Sequence, residues 1–330
     1  MKAIQMKAAG GPDQLVVADI PVPEPGDGQV LVRIRAAGVN PVDTKLRSRG
    51  LFFDNALPAV LGCDGAGVVE AVGSGVTALQ TGDEVWFCNG GLGREQGNYA
   101  EYTVVDEQVA RRKPASLSFE QAAAAPLVLI TAWEALYDRA LLSPEQSVLI
   151  HGGAGGVGHV AIQLAKIRGA RVCATVGDDH KADFVKGLGA DRAINYKTED
   201  FVEAAHDWTS GRGVDAALDI MGGEVFQRTF QAMAHYGTLV TLLDPGSGVA
   251  WKEARNRNLR IGFELMLTPM LTDLPKARAH QGDILDQCGR WFDEGRLSIH
   301  VSHTLPLEQA AQAHDLIEAG HTQGKVVLVP

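Results

Sequence analysis

Apolar and charged residues alternate with a period of two over residues 30–37 (VLVRIRAA), the mark of a strand with one buried face. Short apolar runs recur at 67–72, 84–87 and 99–105, set apart by turn residues such as Gly73-Ser-Gly and Thr81-Gly-Asp. Many short strands joined by glycine-rich turns predict a barrel-like β domain. The pattern changes at Ser118, where Gln121 three residues on predicts a capped helix start. From Ser147 strands and helices alternate: strand 147–151, helix 157–168, strand 171–176, helix 181–188, then strand-like segments at 191–194, 214–219, 237–243 and 259–263. This rhythm predicts an α/β fold with a doubly wound parallel sheet. The tail, 275–330, mixes two helical stretches with a closing apolar strand, 325–329, and no internal repeat is present.

The chain's 330 residues allow two domains, and its 45% hydrophobic and 21% charged residues are ordinary for a soluble globular protein. A formal net charge of -10 repels phosphate backbones, which argues against nucleic acid as a partner. The 4 cysteines lie far apart without disulfide or metal spacing, as expected in a reducing cytosol. The first residues, 1–14, lack a signal-type apolar core. The most apolar run, 122–136, is broken by Pro126 and Thr131 and falls short of the ~18 residues a membrane span needs. These features predict a cytoplasmic protein with no membrane partner.

The strongest motif is Gly153-Ala154-Gly155-Gly156-Val157-Gly158, which follows the strand SVLIH and opens the helix VAIQLAK. Gly153 permits a tight turn, Gly155 lets backbone approach a pyrophosphate, and Gly158 lets helix and strand pack closely. The free N–H groups and dipole of the helix start then hold the anion. With strand, loop, helix and second strand in order, the motif predicts a Rossmann domain that binds a dinucleotide.

Together with this loop, PVPEPGDGQVLVRIRAAGVNPVD, LGCDGAGVVEAVGSGV, TGDEVW and the terminal GKVVL run in the order seen across the medium-chain dehydrogenase/reductase superfamily. The chain resembles that superfamily almost end to end. The resemblance implies a GroES-like β-barrel catalytic domain over residues 1–122, a Rossmann domain over 123–271, and a return to the catalytic domain over 272–330. Zinc-dependent members carry a Cys after the AxGV strand, a His-Glu pair, and a loop of four close cysteines. Here Asn40 and Cys63-Asp64 stand in those places, and the loop from Cys88 to Tyr99 holds a single Cys, so no metal ligands are assigned.

The sequence Asn40-Pro-Val-Asp43 instead resembles the quinone oxidoreductase branch. That resemblance implies catalytic roles for Asn40, Asp43 and Thr131, with Asn40 and Thr131 lining the nicotinamide site. From the residues themselves, Asn40 and Asp43 also fit an Asx turn, and Thr131 a helix threonine bonded to its own backbone. Lys45 and Phe52 stand where relatives place tyrosines near the ring.

The implied cofactor is NADPH, with NADH possible. Gly177 takes the place of the acid that would hold a ribose 2′-OH, while Lys181 and Tyr196 match phosphate-contacting residues of the branch. Asp178 opposes this reading if its side chain turns inward. Leu243, Phe263 and Lys325 complete the implied cofactor-binding set. The substrate implied is a quinone, or an activated alkene as in the enone and alkenal reductases. A zinc alcohol dehydrogenase and a non-catalytic nucleotide- or nucleic-acid-binding relative are the remaining alternatives. Relatives pair the last Rossmann strand across a dimer, which implies a homodimer.

Overall fold

Strand β1 (Lys2–Met6) pairs antiparallel with β2 (Leu15–Asp19), and they open the first of two units into which the chain divides: Met1–Leu127 with Leu267–Pro330, and Val128–Met266. This computed structural model describes residues 1–320 and 322–330. The period-two stretch forms β3 (Gln29–Val39), in which Val30, Val32 and Ile34 are buried while Arg33 and Arg35 are exposed. Helix α1 (Pro41–Arg49) follows at once, its proline at a position where no backbone donor is needed. Next come β4 (Ala59–Val60), β5 (Asp64–Val72), β6 (Glu84–Cys88), β7 (Tyr102–Asp106) and β8 (Arg111–Arg112). The expected cap is present at α2 (Phe119–Ala124), where the Ser118 side chain accepts from the Gln121 N–H at 3.2 Å.

Helix α3 (Pro126–Trp133) runs into a π-helical turn, Glu134–Arg139. The alternating region then builds β9 (Ser147–Ile150), α4 (Gly156–Ile167), β10 (Arg171–Val176), α5 (Asp179–Gly187), β11 (Arg192–Asn195) and α6 (Phe201–Trp208). It continues through β12 (Val214–Asp219), α7 (Gly223–Ala232), β13 (Met233–Thr241), α8 (Lys252–Asn256) and β14 (Arg260–Phe263). The six strands are all parallel, in the order β11-β10-β9-β12-β13-β14. The order reverses direction beside β9, and the crevice at the carboxyl ends of β9 and β12 is where such sheets bind ligands. Leu149, Cys173, Ile194, Val214 and Leu239 face a core shared with Phe226 and Phe230 of α7. Each phenylalanine buried there contributes about 1.5–3 kcal/mol.

The chain then returns to the first unit through α9 (Thr268–Leu271), α10 (Pro275–Asp293), β15 (Val301–Pro306), α11 (Ala310–Glu318) and β16 (Lys325–Val329). Strand β16 lies between β15, to which it is parallel, and β3, to which it is antiparallel, in a seven-stranded sheet. Phe292 of α10 meets Trp86 edge-on, with ring centroids 6.1 Å apart. Among the described residues no helix is long and apolar enough to cross a membrane.

Candidate active site

After β9 the chain turns back on itself: the Gly153 N–H donates to Thr175 O at 2.9 Å and the Gly155 N–H to Gly152 O at 2.9 Å. A Cβ at Gly158 would lie 2.3 Å from Gly152 O, and one at Gly153 would lie 2.8 Å from the Ala174 Cβ. Only glycine lets the loop and helix approach this closely. The result is a backbone cradle in which Ala154 is buried, Gly155 caps α4, and Gly156, Val157 and Gly158 form its first turn. First-turn N–H groups have no partners within the helix and carry its positive dipole end. They fit a pyrophosphate.

His151, beneath this loop, is 1% exposed; its Nε2 lies 2.9 Å from Thr229 Oγ1 and its Nδ1 3.3 Å from Thr175 Oγ1. Burial pushes it down from 6.5 to about 4, so at neutral pH it is an uncharged packing residue. The unfolded chain takes up this proton more readily than the fold does, so the stability it contributes is lost as pH falls from 6.5 toward about 4. His314, pushed down to about 3, acts in the same sense, and Asp43, pushed up to about 7, in the opposite one. The informative measurement is therefore a difference. His151→Gln is expected to lose less thermal stability than the wild type between pH 6.5 and pH 4. Parallel melting-midpoint curves for the two proteins would show that His151 carries no such linkage.

At the end of β10, a Cβ on Gly177 would lie 2.8 Å from the Tyr196 hydroxyl, so these two residues stand side by side. Tyr196 is 53% exposed and its backbone N–H donates to Val176 O at 3.1 Å. The Asp178 carboxylate accepts the Lys181 N–H at 2.8 Å, capping α5. Asp178 is thus hydrogen-bonded to its own helix start. The Leu243 N–H donates to Thr241 Oγ1 at 3.2 Å, and Phe263, opposite Thr241 in register, ends β14 half-exposed. The glycine loop, Gly177, Tyr196, Leu243 and Phe263 thus share the carboxyl edge of the sheet. Thr131 is buried on α3, in the same unit as that sheet.

In the first unit Asn40, Asp43, Asp64 and Lys325 form one buried cluster, none more than 3% exposed. The Asn40 Nδ2 donates to Asp64 Oδ2 at 2.9 Å, and Lys325 Nζ donates to Asn40 Oδ1 and, at 3.1 Å, to Val39 O. Lys325 Nζ is also 3.9 Å from Asp64 Oδ2, whose other oxygen accepts the Leu127 N–H at 2.8 Å. Asp43, one turn into α1, accepts the Asn40 backbone N–H at 2.8 Å and the Tyr99 hydroxyl at 2.9 Å. Asn40 and Lys325, both expected at the cofactor, are hydrogen-bonded to each other. Burial pushes the Asp64 carboxyl up and the Lys325 ammonium down, and each draws the other back toward its charged form.

Zinc does not fit this cluster. Asp64 is already held by Asn40, Leu127 and an ammonium. Among the described residues no group of three or more His, Cys, Asp or Glu side chains could hold a metal ion. Tyr99 and His314 are the residues the sequence reading missed here, and nothing local in the sequence marks them; Asp64 figures in it only as standing where zinc-dependent members carry a ligand pair.

A family model described as "Alcohol dehydrogenase GroES-like domain" matches residues 26–115, and one described as "Zinc-binding dehydrogenase" matches residues 188–328. The chain is 31% identical over 329 residues to Quinone oxidoreductase 1 of Escherichia coli (strain K12), covering 99% of each chain. Among solved structures, that of an Escherichia coli quinone oxidoreductase complexed with NADPH superposes with a TM-score of 0.89 at 30% identity, covering 100% of both chains. The structure of an NAD-dependent alcohol dehydrogenase gives a TM-score of 0.91 at 36% identity, again covering 100% of both.

Proposed function

The chain belongs to the medium-chain dehydrogenase/reductase superfamily, in its quinone oxidoreductase-like branch, and on that premise we propose that it is an NADPH-dependent reductase passing hydride to a quinone. The observation that carries the cofactor reading is the juxtaposition of Gly177 and the Tyr196 hydroxyl, with Asp178 turned into α5. An acid at this strand end would bond a ribose 2′-OH and repel a 2′-phosphate. Here the strand end offers a hydroxyl and, from the first turn of α5, Lys181.

Bound NADPH would supply the hydride. The first-turn N–H groups of α4 hold its pyrophosphate, Tyr196 and Lys181 its 2′-phosphate, and Leu243, Phe263 and Thr131 its nicotinamide end. Asn40, at the start of α1, has its amide fixed between Asp64 and Lys325. With no metal in the scheme, rate depends on positioning and on hydrogen bonds to the oxygen that gains charge. A second substrate class, activated alkenes, presents the same developing oxyanion. We place the homodimer contact at the β14 edge, since an unpaired strand edge requires cover.

The test is the ratio of specificity constants for NADPH and NADH, measured against a panel of quinones and enones. Wild type is expected to prefer NADPH. Lys181→Ala should lower that preference about tenfold, the value of ~1.4 kcal/mol for one charged hydrogen bond. A wild-type preference for NADH would overturn the cofactor reading, and turnover of enones alone would move the substrate class.

A further inference from the structure

Reduction of a quinone by hydride needs a proton as well, and the function proposed above leaves its source unassigned. In the first unit three fully buried side chains form a line. Asp43 Oδ2 accepts the Tyr99 hydroxyl at 2.9 Å, and the same hydroxyl lies 3.4 Å from His314 Nε2. The rings of Tyr99 and His314 meet edge-on, with centroids 5.9 Å apart. The second spacing is long for a hydrogen bond, as expected where such bonds tighten only with substrate bound. The two outer atoms of the line, Asp43 Oδ1 and His314 Nδ1, are buried and have no hydrogen-bond partner among the described residues. Buried polar atoms almost always find partners, so a chain satisfied internally with an unpartnered buried atom at each end calls for an explanation.

We propose that Asp43, Tyr99 and His314 form a proton relay that delivers a solvent proton to the reduced substrate. The proposal rests on the reductase reading above. Hydride addition leaves one quinone oxygen anionic. The O–H bond at Asp43 Oδ1 breaks and an O–H bond forms on that oxygen. The Asp43 carboxylate takes the Tyr99 proton at Oδ2, Tyr99 takes the His314 Nε2 proton, and His314 takes a solvent proton at Nδ1. One solvent proton is consumed and the protein's charge is unchanged. The chain resets as the O–H bonds rotate and the imidazole tautomer returns.

The surroundings favour these states. Burial pushes the Asp43 carboxyl up to about 7, helped by Asp64 of β5 and opposed by the Asn40 N–H, Tyr99 and Lys325 of β16. Asp43 therefore holds a proton that it can release near neutral pH. The buried thiols Cys63 and Cys88 beside Asp43 and Asp64 are neutral, since burial pushes both well up. Burial, and then the Arg47 guanidinium, keeps His314 neutral, as a two-nitrogen relay requires. Arg47 is itself paired with Glu318 at the far end of α11.

The test compares wild type, Tyr99→Phe and His314→Gln in NADPH-dependent quinone reduction. Wild-type kcat should fall as pH rises through about 7 and should show a solvent deuterium isotope effect. Tyr99→Phe should lower kcat roughly 100-fold, flatten the pH limb and leave NADPH affinity unchanged by fluorescence titration. His314→Gln should act likewise, and it carries the test if the phenylalanine variant fails to fold. Unchanged kcat, pH limb and isotope effect in the folded variants overturn the relay alone. A wild type that turns over neither quinones nor enones overturns the reductase reading, and the relay with it.

Discussion

Gly158→Ala is expected to raise the dissociation constant for NADPH by about 100-fold, with thermal stability lowered as well. The new methyl carbon would sit 2.3 Å from Gly152 O and 2.8 Å from Gly153 Cα, both backbone atoms with no rotamer to escape into. Loop or helix must therefore shift by something near 1 Å, and a displacement of that size in a positioning element costs about 100-fold. Overpacking at such a contact also costs about 1–3 kcal/mol of stability. Gly187→Ala is the matched control: it adds the same methyl at a position with nothing within 4 Å. That change should leave binding intact and stability level or slightly raised. Fluorescence titration with NADPH and a melting curve check both variants. Wild-type affinity in Gly158→Ala would mean that the cradle is not the pyrophosphate site.

The second large effect is expected at Lys325. Lys325→Met removes the ammonium that lies 3.9 Å from the fully buried Asp64 and that holds the Asn40 amide oxygen. Breaking a buried pair from one side costs about 3–5 kcal/mol, because the remaining carboxylate has neither water nor a counter-charge. The double variant Lys325→Met, Asp64→Asn removes both charges and should recover part of that loss. Denaturant melts of the three proteins measure the coupling as a double-mutant cycle. Additive losses would show that the two side chains are neighbours without being partners.

The parts of this molecule legible in the sequence are those that short spacings specify. The glycine loop could be read because turn, backbone approach and close packing each fall at a fixed offset from one strand. The Ser118–Gln121 cap could be read for the same reason. Asp178 could not, since capping a helix and bonding a ribose require the same residue within a step of the same place. In the structure it caps the helix, accepting the Lys181 N–H. Strand β13 starts at Met233, ahead of the expected 237, because Met233 already pairs with Val214 of β12, the register shifting before Thr238 meets Ala216. The cluster around Asn40 joins residues 24 and 285 positions away in sequence, and His314 meets Tyr99 across 215. Separations of that length leave no local pattern, and a buried lysine looks in sequence like a surface one.

The placement of β16 bears on how the chain is made. The second unit is one uninterrupted stretch, Val128–Met266, so during synthesis it has all its residues long before the first unit does. The first unit waits for β16, which fills the gap between β15 and β3 and brings Lys325 to Asp64. Until that strand emerges from the ribosome, Asp64 lacks its counter-charge, the Asn40 amide oxygen lacks its donor and the β3 edge that β16 covers is bare. The nascent protein thus passes through a stage with a finished nucleotide-binding half and an open-edged partner, the form most exposed to chaperones and to aggregation.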